Sequence, residues 1–259
     1  MGYPGLDVSG QAVLVTGGTS GIGRAIALGL AQSGAKVMAG STNPEKVAAI
    51  RKELGEGHDA VALDVGNEQS VADAVAATVE RFGRIDHVVN AAGVIKKQPS
   101  LEMPVGEFER IIRINLTGSF IVAQQVGRVM KNQPPDAKGL RGSILFIASL
   151  NSFISLSEVL AYASSKSGVM GLIRGLANEW AQYGIRVNGI APGVFPTDLN
   201  RPLIEGTERG KWLRAHTPLD RFGDADELVG AAIYLLSPSA SYTTGETIIV
   251  DGGFLARGV

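Results

Sequence analysis

The sequence predicts an α/β fold with a parallel sheet covered by helices on both faces. Three observations predict it. Short apolar runs of strand length alternate with stretches whose apolar residues recur at helical spacing. The first strand candidate enters the first helix candidate through a glycine-rich turn, Thr16-Gly17-Gly18-Thr19-Ser20-Gly21-Ile22-Gly23. No linker, repeat or low-complexity tract divides the 259 residues. α/β folds reach this length as one unit, so 1–259 is read as a single domain.

The elements follow in order. AVLVT (12–16) is a strand, and GIGRAIALGLAQSG then carries a helical pattern ending in Gly34. KVMAG (36–40) is the second strand, and Pro44 opens the second helix in its first turn. AVALDV (60–65) is the third strand, followed by a helix from Glu68 to Phe82. IDHVVNAAG (85–93) is the fourth strand with its turn, and 104–131 a long helix with a break expected near Gly118. GSILFIAS is the fifth strand, 160–183 the fifth helix, IRVNGIAPG the sixth strand and TIIVDGG the last. NQPPDAKGLRG (132–142) reads as a polar surface loop.

Composition narrows the function. The net charge of −1 argues against a polyanion-binding surface, so no nucleic acid is expected as a partner. Cysteine is absent, which excludes disulfides, thiolate chemistry and Cys-ligated metals. His58, His87 and His216 lie far apart and show no metal-ligand spacing. No early apolar leader is present and no apolar run approaches the roughly 18 residues of a membrane span. A soluble, cytoplasmic protein is the expectation.

The chemistry concentrates in Ser149–Lys166, SLNSFISLSEVLAYASSK. Tyr162 and Lys166 stand four apart in a helix-compatible run, so they share one face. Ser149 ends an apolar run, where its hydroxyl would sit at the carboxyl end of a strand, the edge at which open α/β sheets bind ligands. Tyrosine is a poor acid or base at neutral pH. Bringing it near 7 takes roughly 3 units, about 4 kcal/mol, which a close ammonium in a dry site can supply. Tyr162 is thus a candidate proton donor and acceptor, and Ser149 a candidate to orient a carbonyl or alcohol oxygen. A Tyr and a Lys four apart also occur on any solvated helix face, so the pair gains weight only from its company.

That company includes the first glycine turn. Gly17, Gly21 and Gly23, between a strand and a helix, let the backbone approach a pyrophosphate at a helix N-terminus. After the second strand, Gly40-Ser41-Thr42-Asn43 holds neither an acid for a ribose hydroxyl nor a cation for a 2′-phosphate. Ser41 and Thr42 can bond a phosphate and no carboxylate repels one, so NADP is favoured over NAD. The same residues also read as a helix N-terminal cap.

TGGTSGIG, Asp64-Val65, Asn90-Ala91-Ala92-Gly93, Asn115, Ser149, YASSK and Pro192-Gly193 together resemble the short-chain dehydrogenase/reductase family, in its order and spacing and over essentially the whole chain. The resemblance implies a Rossmann-like, doubly wound, seven-stranded parallel sheet. It implies that Tyr162 is the acid/base, that Lys166 lowers its pKa and holds the nicotinamide ribose, and that Ser149 polarises the substrate oxygen. Asn115 would shape a helix kink and hold a water in a proton relay. Gly17, Thr19, Ser20, Gly21, Ile22 and Gly23 would cradle the dinucleotide. Asp64 and Val65 would sit at adenine, the turn Asn90, Ala91, Ala92 and Gly93 would pack beside the cofactor, and Pro192, Gly193, Phe195 and Thr197 would hold the nicotinamide. Two departures stand out: Ala91 replaces a side-chain amide common in that turn, and Ser20 stands where many NADP-dependent members carry a basic residue, which keeps NAD open beside NADP. Asn115 also suits an ordinary buried polar position, Asp64 a cap for the helix near Glu68, and Asp251-Gly252-Gly253 a structural turn.

The segment 195–218 reads as a substrate lid, with Gly206 and Gly210 as flexible points and Arg201, Arg209, Lys211 and Arg214 as cations. Lys96 and Lys97 follow the Asn90–Gly93 turn at the same end of the sheet. A carboxylate substrate needs a cation close by, and Lys96, Lys97, Asn151 and Arg201 are the candidate substrate contacts. VIKKQPSLE, SKSGVMGLIRGLANEWAQYGIRVNGIAPG and VDGGFLA resemble the branch of the family acting on sugar acids, which implies reversible hydride transfer between NAD(P) and a hydroxyl or keto carbon of a sugar acid or polyol. A 3-oxoacyl-carrier-protein reductase and a non-catalytic nucleotide sensor remain alternatives. The family resemblance also implies a homotetramer built through the two long helices.

Overall fold

Seven strands form one sheet: β1 (Ala12–Thr16), β2 (Lys36–Ser41), β3 (Asp59–Ala62), β4 (His87–Asn90), β5 (Gly142–Ile147), β6 (Ile185–Pro192) and β7 (Thr247–Val250). The computed structural model describes residues 3–198 and 200–257. Strand order is β3-β2-β1-β4-β5-β6-β7, and every neighbouring pair is parallel. The order reverses direction between β1 and β4, and a crevice opens there at the carboxyl ends of the strands.

Side-chain alternation sends each strand into two cores. Leu14, Val88, Ile144, Phe146 and Val187 pack on one face with α3 (Glu68–Phe82), α5 (Gly118–Lys131) and α6 (Leu160–Trp180). Val13, Val15, Val89, Leu145 and Ile190 pack on the other with α1 (Gly21–Gln32), α2 (Pro44–Leu54) and α9 (Val229–Leu236). Because both faces are covered, β1 and β6 are buried at every residue; β1 is an apolar run but for its closing Thr16, while β6 also carries Arg186 and Asn188, whose side chains donate to backbone carbonyls. A third, smaller cluster of Leu150, Ile204, Leu213 and Phe254 holds α7 (Arg201–Ile204) and α8 (Glu208–His216) against the end of the sheet.

Several boundaries differ from the sequence reading. The third strand covers 59–62 instead of 60–65, since its last residues turn away toward α3. The fourth is shorter than 85–93, and the sixth helix ends at Trp180 in a 3₁₀ turn, Ala181–Tyr183. The expected break in 104–131 is a π-helical turn, Arg113–Thr117, between α4 (Val105–Ile112) and α5, which resumes at Gly118. The last helix before β7, α9, had no polar face to reveal it: VGAAIYLL is apolar all round, and periodicity cannot separate such a segment from a strand. Its last carbonyls are closed from β6 by the buried Arg186, whose guanidinium donates to Leu235 O (2.7 Å) and Leu236 O (3.2 Å).

Candidate active site

The crevice at the strand ends holds a cavity of about 410 Å³. Gly17, Ser20, Gly21, Ile22 and Gly23 line it from the first turn, and Ala91, Ala92 and Gly93 from the turn after β4. Ser149 follows β5, Tyr162 and Lys166 come from α6, and Pro192, Gly193, Phe195 and Thr197 follow β6. Four loops separated by up to 180 sequence positions thus converge because parallel strands deliver all their carboxyl ends to one edge.

The first turn is shaped for close approach. Gly17 has φ +65°, and a Cβ there would lie 2.9 Å from the Ala92 backbone. Gly21 has φ +51° and faces Thr197 across the crevice. Ser20 caps α1 in extended conformation with no side-chain hydrogen bond, so the first-turn N–H groups of α1 are left for an anion at the cavity wall. Glycines at the wall, an uncapped helix N-terminus and a cavity of this size fit a dinucleotide.

At the far side of the cavity Lys166 is buried and its Nζ donates to Ile147 O at 2.6 Å, tying α6 to the carboxyl end of β5. The same Nζ sits 5.8 Å from the Tyr162 ring centre. Burial lowers the Lys166 pKa to about 8. Burial also pushes the Tyr162 phenol above its ordinary value, with the Ser149 hydroxyl pulling the other way. The expected net lowering of Tyr162 by Lys166 is therefore not what the protein alone provides. Desolvation of the phenol outweighs the Ser149 hydrogen bond.

Asn115 lies in the π-helical turn with 0 % exposure. Its Nδ2 donates to Val94 O (2.9 Å) and to Ser165 Oγ (3.0 Å), and its Oδ1 accepts from Val94 N (2.8 Å). Asn90 is likewise turned inward: Oδ1 accepts from Thr16 Oγ1 (3.1 Å) and Nδ2 donates to Ser119 O (2.9 Å), while Thr16 Oγ1 accepts from Ala92 N (3.2 Å). Both asparagines hold the loops around the cavity without lining it.

Other sequence candidates also stand outside the cavity wall. Thr19 is buried behind the glycine turn. Ser41 accepts from Asn43 N, and Asn43 caps α2 through Lys46 N (2.9 Å), so that stretch is a helix cap as well as a strand end. Asp64 is exposed and accepts from Gly66 N (2.8 Å); the cap of α3 is Asn67 instead, through Ser70 N. Thr42 and Val65 lie beside these at the ends of β2 and β3.

The expected substrate contacts face partners within the chain or lie outside the cavity wall. Lys97 pairs with Glu158 at 3.0 Å and Arg201 with Glu205 at 2.5 Å, both turned to carboxylates of their own surface. Asn151 Oδ1 accepts from Leu156 N and holds the loop before α6. Lys96 joins none of the ion pairs among the described residues and does not line the cavity.

Five lining residues escaped the sequence reading: Lys46, Ile147, Ala148, Asp198 and Asn200. Asn200 Oδ1 accepts from Thr197 N (2.9 Å) and Asn200 Nδ2 donates to Phe195 O (2.9 Å), so it shapes the turn after β6. Its position three residues past Thr197 is the one signal that could have exposed it.

Comparison with known proteins agrees with this geometry. The sequence family described as enoyl-(acyl carrier protein) reductase matches residues 17–255. A crystal structure of a short-chain type dehydrogenase/reductase from Mycobacterium marinum superposes with a TM-score of 0.89 at 35% identity, over 96% of this chain and 97% of that one. The chain belongs to the short-chain dehydrogenase/reductase family. Among its relatives, a 2-dehydro-3-deoxy-D-gluconate 5-dehydrogenase from Formosa agariphila is 37% identical over 255 residues, 96% of this chain and 94% of the relative. A gluconate 5-dehydrogenase from Burkholderia cenocepacia J2315, crystallised with NADP and tartrate, matches with a TM-score of 0.90 at 36% identity, over 98% of each chain. This short-chain dehydrogenase/reductase therefore shares its fold and nearly its full length with oxidoreductases. Among its described residues no helix is long and apolar enough to cross a membrane.

Proposed function

We propose that this enzyme moves a hydride between NAD(P) and a secondary alcohol or ketone of a sugar acid or polyol, in the manner of a gluconate 5-dehydrogenase. The observation that carries the reading is the meeting, in one cavity, of the Gly17–Gly23 turn with Ser149, Tyr162 and Lys166. The full-length relatives named for sugar-acid oxidation supply the substrate class. The NADP in the Burkholderia structure supports NADP as the preferred dinucleotide.

The nicotinamide, when bound, supplies or accepts the hydride. The chain's own residues do the rest. Ser149 Oγ, at the end of β5, donates to the reacting oxygen and orients it. Tyr162 Oη gives that oxygen a proton in reduction and takes it back in oxidation. Lys166, held on Ile147 O, adds positive charge beside the phenol and favours its ionised form while the proton is away. Asn115 holds the π-turn and Val94, and through Ser165 it steadies the turn of α6 that carries Lys166. The chain acts as one domain, with 195–218 as its lid, and works in the cytoplasm. Phe120 on α5 and Leu160 on α6 are exposed, which supports assembly as a homotetramer through these helices.

Initial rates with NAD and NADP against a panel of aldonic acids and polyols, run beside reduction of an acetoacetyl thioester, test the reading. Oxidation of a sugar acid or polyol is the expected result. Activity on the thioester alone would replace it with carrier-protein chemistry, to which the family description also points.

A further inference from the structure

One side chain lining the cavity is unused by the reaction: Lys46, in the first turn of α2, paired across the crevice with Asp198 at 3.4 Å. The two come from opposite halves of the fold. Lys46 stands beyond β2, and its backbone is held by the Asn43 cap. Asp198 hangs from the loop after β6, beside the turn that Asn200 shapes. The pair therefore crosses the mouth of the crevice between the glycine turn and the segment 195–218.

The carboxyl end of β2 is where an adenosine ribose is read in dinucleotide folds, by an acid for a hydroxyl or a cation for a 2′-phosphate. Gly40-Ser41-Thr42-Asn43 offers neither. Lys46 is the next cation along the chain, and it lines the same cavity as Ser20 and Gly21. Resting on the proposed dinucleotide-dependent activity, we infer that Lys46 recognises the 2′-phosphate of NADP and that Asp198 occupies it when that phosphate is absent.

The chemistry favours the exchange. Both side chains of the pair are substantially exposed, at 46% and 75%, and pairs of that kind are weak. A phosphate near its dianion offers more charge and three acceptor oxygens, and a lysine serves it as a point charge. NAD brings only a hydroxyl to that position, so with NAD Lys46 stays on Asp198. Lys46 then sets preference for NADP, and Asp198 moderates it by competing with the phosphate and repelling it.

Calorimetric titration of the full chain with NADP and with NAD tests this without reference to turnover. Lys46→Met should weaken NADP binding by about tenfold and leave NAD within about twofold, while Lys46→Arg should retain most of the preference. Asp198→Asn should tighten NADP binding several-fold and leave NAD unchanged. Equal losses for both dinucleotides would place Lys46 on the shared pyrophosphate and overturn the inference, as would an unchanged ratio. Failure of the unaltered chain to bind either dinucleotide would instead overturn the proposed function itself.

Discussion

The side-chain amide of Asn115 closes on both polar groups of the Val94 backbone, donating to its carbonyl at 2.9 Å and accepting from its N–H at 2.8 Å. One residue in the π-turn thereby pins the chain just past Gly93, at the cavity wall. Such turns insert an extra residue into a helix and cluster at functional sites.

Asn115→Leu should therefore destabilise the protein by about 2–4 kcal/mol, because it takes the partner from both the N–H and the carbonyl of the half-buried Val94 and leaves the Ser165 hydroxyl only its bond to Tyr162 O. Urea unfolding checks the stability, and turnover should fall with it because the wall of the cavity loosens. Asn115→Asp keeps the acceptor for Val94 N–H but loses the donor, and should fall between the two.

Tyr162 sets the pH dependence. Its phenol is pushed up by burial, so near neutral pH it carries its proton and is ready for reduction. Oxidation needs the deprotonated form and should climb as pH rises into the alkaline range, while reduction should decline there. Tyr162→Phe should cost about 10²-fold or more in kcat in both directions while dinucleotide binding persists. Undiminished turnover in that variant would remove Tyr162 as the proton carrier.

His87 makes the fold acid-sensitive. Its pKa is lowered to about 3 by burial, with Arg186 and Arg84 adding repulsion. The unfolded chain binds this proton near 6.5, so between about pH 6.5 and 3 the unfolded state holds more protons than the native one. Stability from this group is present above 6.5 and falls as pH drops through that window, by about 4–5 kcal/mol in full. His87→Phe should flatten the loss of unfolding free energy between pH 7.5 and 5. An unchanged slope would refute the assignment.

Gly17 and Gly21 should respond differently to alanine. At Gly17 both the positive φ and the Ala92 backbone, which would meet a Cβ at 2.9 Å, oppose a side chain. At Gly21 the nearest atoms belong to the Thr197 side chain, at 3.1 Å, which can give way. Gly17→Ala is expected to lower the melting temperature and abolish dinucleotide binding. Gly21→Ala should cost about 1 kcal/mol of backbone strain and weaken binding less.

Much of this was legible from residue types and spacing. Buried parallel strands must be continuous apolar runs, a strand-to-helix turn near a phosphate needs glycine, and residues four apart on a helix share a face. Those local rules determined the alternating fold, the glycine turn, and the placement of Ser149, Tyr162 and Lys166. The all-apolar α9 stayed hidden, because a helix with no polar face has no period to read.

Charge partners distant in sequence were decided by the tertiary structure alone. Whether Lys97 or Arg201 meets a substrate depends on Glu158 and Glu205 lying within reach, and no spacing rule reports that for Lys97. Lys46 and Asp198 stand 152 residues apart and met only when the two halves of the sheet closed on one crevice. The sequence by itself determined which groups can do chemistry. The fold decided what each of them faces, because electrostatic and desolvation energies depend on distances that long-range contacts set.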